Sequence, residues 1–463
     1  MVFREKQRMI RSNVGSADRT SVDRGRGSGM SLALLCVFTV VTGVMVFSSV
    51  AIADDYPIVA DKSLAKLLGE EGRLSRTMHP FDDPKHVVWQ LSSDKEPVSI
   101  PAEIQCVSKD WTDILNAQMP YLVSMPEKNR LLMLFERNEP AGRAALIHSD
   151  DQGAKWSKPR WLRGDLSGKP DSGGMLGLTY LGAGRLMVFE GDVNTNLRWF
   201  SSDFGETWQR DEPATAPGGG YAWDPPLVLR DASGRAKRLV QEYFSFTAPR
   251  DTKGFLRSSD DEGKTWTAGT PIPQWVGVNE VSIIRAANGD WVAACRTDNP
   301  KRFESPTVGT PSPDGPQAID CYSGLAVSVS KDQGKTWSDL HRLYEWGRHH
   351  PSMVVMPDGK LVMTYIVRLG YPHTKDNLSQ FGVEAVVSGD NGQTWDLDHR
   401  YVLATWVGNI KGGNAWYCGV QSTSTLLMPD GKLLTAFGTG YRNPAGTTVC
   451  NMDVALVHWK LNL

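Results

Sequence analysis

Five times the chain repeats the pattern Ser-x-Asp-x-Gly-x-x-Trp: SDDQGAKW from Ser149, SSDFGETW from Ser201, SDDEGKTW from Ser259, SKDQGKTW from Ser330 and SGDNGQTW from Ser388. Such repetition constrains the fold more than any local propensity, because each copy must occupy an equivalent place in an equivalent unit. Successive copies begin 52 to 71 residues apart, too far for one hairpin and suited to a small sheet with its loops. The residues are those of a turn rather than of a reaction centre. Asp bonds its own backbone, Gly supplies a positive φ, and Trp plugs the layer beneath. One active site does not need five copies.

The segments between the turns show what each unit contains. Alternating runs flank tight turns in YLVSMPEKNRLLMLFE (121–136), LTYLGAGRLMVFE (178–190) and LVLRDASGRAKRLVQEY (227–243). The same pattern recurs in VSIIRAANGDWVAACR (281–296), SMVVMPDGKLVMTYIVR (352–368) and TSTLLMPDGKLLTAFG (423–438). Period-two alternation about Asn-Gly or Asp-Gly is a strong hairpin signal. Six hairpins followed by five turns predict an all-β chain folded as a six-bladed β-propeller. Helical periodicity is scarce after residue 80, which argues against an α/β fold. With 45 Gly, 27 Pro and 16 Trp in 463 residues, the composition suits one large turn-rich domain.

The first 53 residues read differently. Seven Arg and Lys precede an uncharged run, LALLCVFTVVTGVMVF from Leu32, which ends near Ala51-Ile52-Ala53. That is the layout of a signal peptide, and the apolar run is also long enough to stay as a signal anchor. The expected organisation is a leader at 1–53, an extension at 54–85 and the propeller at 86–463. Export is expected, with the protein secreted, periplasmic or held at a membrane through residues 31–53 alone. A net charge of −2 gives no reason to expect nucleic acid. No zinc spacing or phosphate-cradling glycine loop occurs, and no cofactor is expected. Cys295 with Cys321, and Cys418 with Cys450, are candidate clips of an exported domain, buried unpaired thiols being the alternative.

In a propeller the repeated turns fall on one face, so a site must be built on the other, where first strands begin and second strands end. Those positions hold Gln118, Met119 and Glu136 to Glu139; Asp171, Glu190 and Asp192; Tyr221, Trp223 and Asp224; Asn279, Glu280 and Arg296. The last two blades add Arg348, His349, His350 and Arg368, then Trp416, Tyr417, Gln421, Ser422 and Tyr441. Carboxylates, arginines, histidines and aromatics thus converge on one mouth, and an unpaired charge at a strand's inner end would be costly.

At these residues the chain resembles the sialidase (neuraminidase) superfamily, whose six-bladed propellers carry these turns as BNR or Asp-box repeats. The resemblance runs from about residue 90 to the end. NEVSIIRAANGDWVAACR is similar to the family segment in which a glutamate opens a blade and an arginine closes its second strand. The resemblance implies that Glu280 activates a tyrosine nucleophile, Tyr417 being the candidate, and that Arg296 and Arg348 grip a substrate carboxylate. A neutral nucleophile avoids repulsion by that carboxylate, and arginine clamps it in a bidentate way. This chain departs from the pattern in NAQMPYLV, where Gln118 or Met119 replaces an arginine, and in ERNEPAGR, where Glu136 or Glu139 replaces an aspartic acid.

Three functions fit these residues. The first is a sialidase-like exo-glycoside hydrolase on acidic sugar termini, with Glu280, Tyr417, Glu139 and His350 catalytic and Arg296, Arg348, Arg368, Asp224 and Trp223 holding substrate. The second is a lyase on uronate polysaccharides using His349, His350, His373 and Tyr417. The third is a carbohydrate-binding propeller without catalysis, in which Tyr221, Trp223 and Trp416 stack on sugar faces. In all three the partner is a glycan or polysaccharide.

Overall fold

The computed structural model describes residues 86–462 apart from 110, 112–114, 140–142, 166–174, 191–196, 212–219, 249–250, 299–322, 346, 370–377, 410–421 and 440–452. The leader and the 54–85 extension lie outside the described residues. Among these residues the protein is built of antiparallel strands and one short 3-10 turn, Pro126–Lys128. Six sheets form the six blades of a propeller. The hairpins legible in the sequence are the inner strand pairs: Leu115–Met125 with Arg130–Glu139 in blade one, and Met175–Gly182 with Arg185–Glu190 in blade two. Blade three pairs Leu227–Arg230 with Ala236–Ala248, and blade four pairs Val278–Arg285 with Trp291–Thr297. Blade five pairs Arg348–Val355 with Leu361–Leu369, and blade six pairs Thr423–Leu427 with Leu433–Thr439.

Two features at the start of the chain were not legible. The hairpin of Val87–Gln90 and Val98–Pro101 extends blade five at its outer edge, where Gln90 pairs with Tyr401. Strand Glu103–Cys106 then supplies the outer strand of blade six, pairing Cys106 with Ala455. The ring is therefore closed by its own N-terminal segment.

Each repeated turn has one internal wiring. The Ser hydroxyl donates to the Asp Oδ1 at 2.7 to 2.9 Å and accepts the Gly N–H at 2.7 to 3.0 Å. The Asp Oδ1 accepts the backbone N–H four residues on, at 2.8 to 2.9 Å. The residue before each Gly has φ between 59° and 64°, and the Gly itself between 83° and 89°, so the chain reverses through two left-handed positions. The Trp side chains then join the layers between neighbouring blades, Trp395 in the cluster that blades four and five share, and Trp337 against Trp275 of blade three.

Gly334 shows the constraint most sharply. A Cβ there would sit 2.6 Å from Cζ3 of Trp291, at a φ of 84°. Gly334→Ala is expected to cost about 2–4 kcal/mol from left-handed strain and overpacking. Urea unfolding measures this. Catalytic constants should stay at the wild-type level, because the turn lies far from the mouth. Ser330 pairs with Trp291, whereas Arg296 stands five residues further along the same strand, about 17 Å away at ~3.4 Å per residue.

The core lies in layers between blades. Leu131, Met133 and Phe135 of blade one meet Leu434, Ala436 and Leu456 of blade six. Val292, Ala294 and Leu325 meet Met363 and Tyr365 between blades four and five. Cys295 points into the layer between blades three and four with Val240, Leu256 and Val281, a free and fully buried thiol. Cys295 is thus a buried unpaired thiol, the alternative to a clip with Cys321. Cys321, Cys418 and Cys450 lie outside the described residues.

Candidate active site

The device that builds the site is a bulge in the first strand of four blades. One extra residue interrupts the ladder between Gln118 and Tyr121, Leu176 and Thr179, Asn279 and Val281, and His349 and Ser352. At each bulge one residue takes a left-handed backbone: Met119 (φ 51°), Gly177 (φ 65°), Glu280 (φ 50°) and His350 (φ 51°). A bulge re-aims the side chain it carries, and a non-glycine residue there costs about 1–2 kcal/mol. Equivalent positions around the ring are thereby turned together. Blade three uses a larger arch: Tyr221 pairs with Phe244 and Leu227 with Val240, so residues 222–226 span only three residues opposite. Asp224 is the middle of that arch. Gly177 makes room for it, since a Cβ at Gly177 would lie 3.3 Å from the Asp224 carbonyl oxygen.

These elements bring four side chains into one chain of contacts. Asp224 Oδ1 lies 3.6 Å from His350 Nε2, and His350 Nδ1 lies 3.3 Å from Glu280 Oε2. Arg296 Nη1 donates to both Glu280 oxygens at 3.0 and 2.9 Å. Asp298 continues the chain, 3.4 Å from Arg296 Nε, and accepts from Asn279 Nδ2 at 2.6 Å and Ser323 Oγ at 2.8 Å. His349 stands 3.9 Å from Glu280. The Asp224, Glu280 and Arg296 side chains retain 10, 10 and 11 % exposure, against 3 % for His350. The carboxyls are thus slightly more exposed than the imidazole between them.

The surroundings push the two carboxyls apart in acidity. Burial alone would raise Glu280, but Arg296, His350 and Arg368 outweigh it and hold it below the ordinary carboxylate value. Asp224 is raised, by burial first and then by the Glu280 charge, with His350 opposing. His350 is raised above the usual imidazole value because Glu280 and Asp224 overcome the effect of burial. The surroundings thus favour the anion at Glu280, the protonated acid at Asp224 and the charged imidazole at His350.

Several expected site residues stand elsewhere. Arg348 turns between blades four and five, where its Nε donates to Glu384 Oε2 at 2.8 Å and its guanidinium stacks 4.5 Å above Tyr344. Arg368 is buried and within electrostatic reach of Glu280. Trp223 is buried in the blade-three arch, its carbonyl accepting the Tyr121 hydroxyl at 2.8 Å. Glu139 closes a strand of blade one, opposite Leu115. Glu190 is held by Trp199 Nε1 at 2.9 Å and Arg210 Nε at 3.1 Å. Tyr417, His373, Asp171, Asp192, Trp416, Gln421 and Tyr441 lie outside the described residues. Among the described residues, no three of His, Cys, Asp and Glu are placed to share a metal ion.

Sequence reasoning passed over Glu242. It is 5 % exposed, and neither carboxyl oxygen has a hydrogen-bond partner among the described residues. Burial and the charges of Asp224 and Glu280 push it well above the ordinary value. The signal was present in LVQEYF: a glutamate at an inward position of an alternating strand, between Val240 and Phe244.

Fold and site together define a six-bladed propeller with acidic turns on one face and a buried acid, imidazole and arginine cluster at the opposite mouth. Residues 82–363, more than half of the chain, match the family model of the BNR repeat-like domain, and the protein belongs to that family. No curated protein matches the chain. A Dyadobacter fermentans protein of unknown function shares the fold, with 16% identity, a TM-score of 0.53 and coverage of 77% of this chain and 98% of that one. Two glycoside hydrolases align at lower scores. The NanB sialidase of Streptococcus pneumoniae gives 13% identity, a TM-score of 0.48 and coverage of 78% and 71%. The GH93 α-L-arabinofuranosidase of Fusarium graminearum gives 12%, 0.46 and coverage of 81% and 98%.

Proposed function

We propose that the protein is an exported, sialidase-like exo-glycoside hydrolase acting on acidic sugar termini of glycans. The observation that carries this reading is the pairing of Glu280 and Asp224 across His350 with opposite protonation preferences. Two carboxyls driven apart in this way are what glycoside hydrolysis uses. Asp224, whose acidity burial weakens, is the acid: its carboxyl proton goes to the leaving glycosidic oxygen as the bond to the anomeric carbon breaks. Glu280, ionised, accepts the proton of the attacking hydroxyl, which belongs to Tyr417 or to water. His350 favours the Glu280 anion and steadies the Asp224 carboxylate once its proton has left. Arg296 and Arg368 supply the positive field for an acidic glycone, while Arg348 serves the fold through Glu384.

The lyase reading is less favoured, because the carboxyls beside His350 favour its charged form, which has no free ring nitrogen to act as a base. The test is a panel of 4-methylumbelliferyl glycosides of sialic acid, hexuronic acids and neutral pentoses and hexoses. Release of fluorophore from an acidic glycone is expected. Its rate should be bell-shaped in pH, falling on the acid side as Glu280 gains a proton below the usual glutamate value, and on the alkaline side as Asp224 loses its own above the usual aspartate value. Turnover of neutral glycosides alone would remove the acidic-sugar assignment. Unsaturated, ultraviolet-absorbing products from uronate polysaccharides would replace hydrolysis by elimination, and no turnover of anything would leave a binding propeller.

A further inference from the structure

Glu242 is the buried group beside the site that the reaction above does not use. Nothing in the fold rewards it: a buried carboxyl with two unpartnered oxygens lowers stability. Its place is specific, however. It is the middle residue of the three, 241–243, spanned by the arch of 222–226, and Asp224 is the middle residue of that arch. The charged and titratable groups around it are Asp224 from the arch, Glu280 and Cys295 from blade four, and Arg257 from the neighbouring strand. Arg257 is itself engaged by the Gln241 side-chain oxygen, at 3.0 and 2.7 Å.

We propose that Glu242 is a positioning residue for Asp224: it stands under the arch as a neutral carboxylic acid and donates its O–H to the Asp224 carboxylate formed when that group protonates the leaving oxygen. The Glu242 proton stays on Glu242 throughout, and the new negative charge on Asp224 gains a donor on one side and the His350 imidazolium on the other. A neutral acid serves here where a second carboxylate would repel the charge being formed. This inference rests on the assignment of Asp224 as the acid.

Two variants and two measurements test it. Glu242→Gln keeps a neutral donor of the same size, and Glu242→Leu removes the donor while keeping the volume. On whichever 4-methylumbelliferyl glycoside the wild-type protein cleaves, Gln should retain kcat within about threefold. Leu should lose about 10- to 100-fold in kcat with KM unchanged, the value of one hydrogen bond to a charged group. In Leu the alkaline limb should also move to higher pH, because the Asp224 carboxylate has lost a donor. Equal losses in Gln and Leu, or no loss in either, overturn the proposal.

The second measurement does not depend on turnover. Glu242 keeps its proton when folded and ionises when unfolded, so wild-type stability declines as pH rises above the ordinary glutamate value until the folded group itself titrates. Glu242→Gln has no such decline. Its advantage in the unfolding equilibrium, read by urea titration, should therefore grow by about tenfold per pH unit from near pH 4.5 upward. Parallel pH dependences in the two proteins overturn the neutral-acid assignment by themselves. A wild-type protein that cleaves no glycoside overturns the catalytic reading instead, and the donation to a reacting Asp224 falls with it.

Discussion

Glu280→Gln is expected to lower kcat/KM by about 10²–10⁴-fold, the range for loss of a positioned base, while the protein stays folded. The amide matches the carboxylate in size and can still occupy the bulge. Arg296 keeps a counter-charge in Asp298, at 3.4 Å, so the buried guanidinium is not stranded. His350 loses the anionic neighbour that raises it most and should titrate closer to an ordinary imidazole, which adds a second signature: its NMR titration midpoint falls. The loss should appear in kcat more than in KM, because Glu280 acts on the attacking group rather than on the leaving sugar. A Gln variant with wild-type turnover would remove Glu280 from the mechanism. A variant that unfolds would be uninformative alone, so circular dichroism and urea unfolding accompany the kinetics.

The largest stability effect is expected at Glu384. This residue is 1 % exposed and receives Arg348 Nε at 2.8 Å, Arg348 Nη2 at 3.3 Å and the Tyr365 hydroxyl at 3.3 Å, with Arg400 Nε at 3.4 Å. Glu384→Ala leaves two guanidiniums in the protein without this carboxylate. A cost of about 3–5 kcal/mol follows from stranding buried charge, and it should appear as a lower urea midpoint. The exposed Arg238 and Asp260 pair is the internal control. Its contact is as short, 2.6 Å, but the side chains are 50 and 61 % exposed, and Asp260→Ala should cost no more than about 1 kcal/mol. Equal effects at the two sites would show that burial does not set the value of these pairs.

The fold was legible because its information is local and repeated. Five turns of one pattern and six hairpins, three of them turning at Asn-Gly or Asp-Gly, set the unit, and alternation set its faces. The placement of the turns at the end remote from Glu280 and Arg296 followed from strand direction alone. The site was legible as a set of positions but less as a geometry. Positive φ is announced by glycine only at Gly177; at Met119, Glu280 and His350 it occurs on residues that carry no such signal. That is why His350 could be named as a candidate but not as the link between Asp224 and Glu280. Arg348 was read as facing substrate because its partner, Glu384, lies on a third strand 36 residues away. Glu242 was passed over because a strand of apolar neighbours conceals one acid, and only the arch above it gives the acid a purpose.

The closure of blade six has a consequence for how the chain comes to be folded. Strand Glu103–Cys106 is synthesised before every other strand of blade six, yet its pairing partner, Asp453–Trp459, is the last strand of that blade. Until that partner is made, the early strand presents an unpaired edge to other molecules, and the contact it finally makes is strongly non-local. Slow completion and a need for protection during biogenesis follow from this one seam, and a break between residues 106 and 115 would separate the two halves of the latch rather than trim an end.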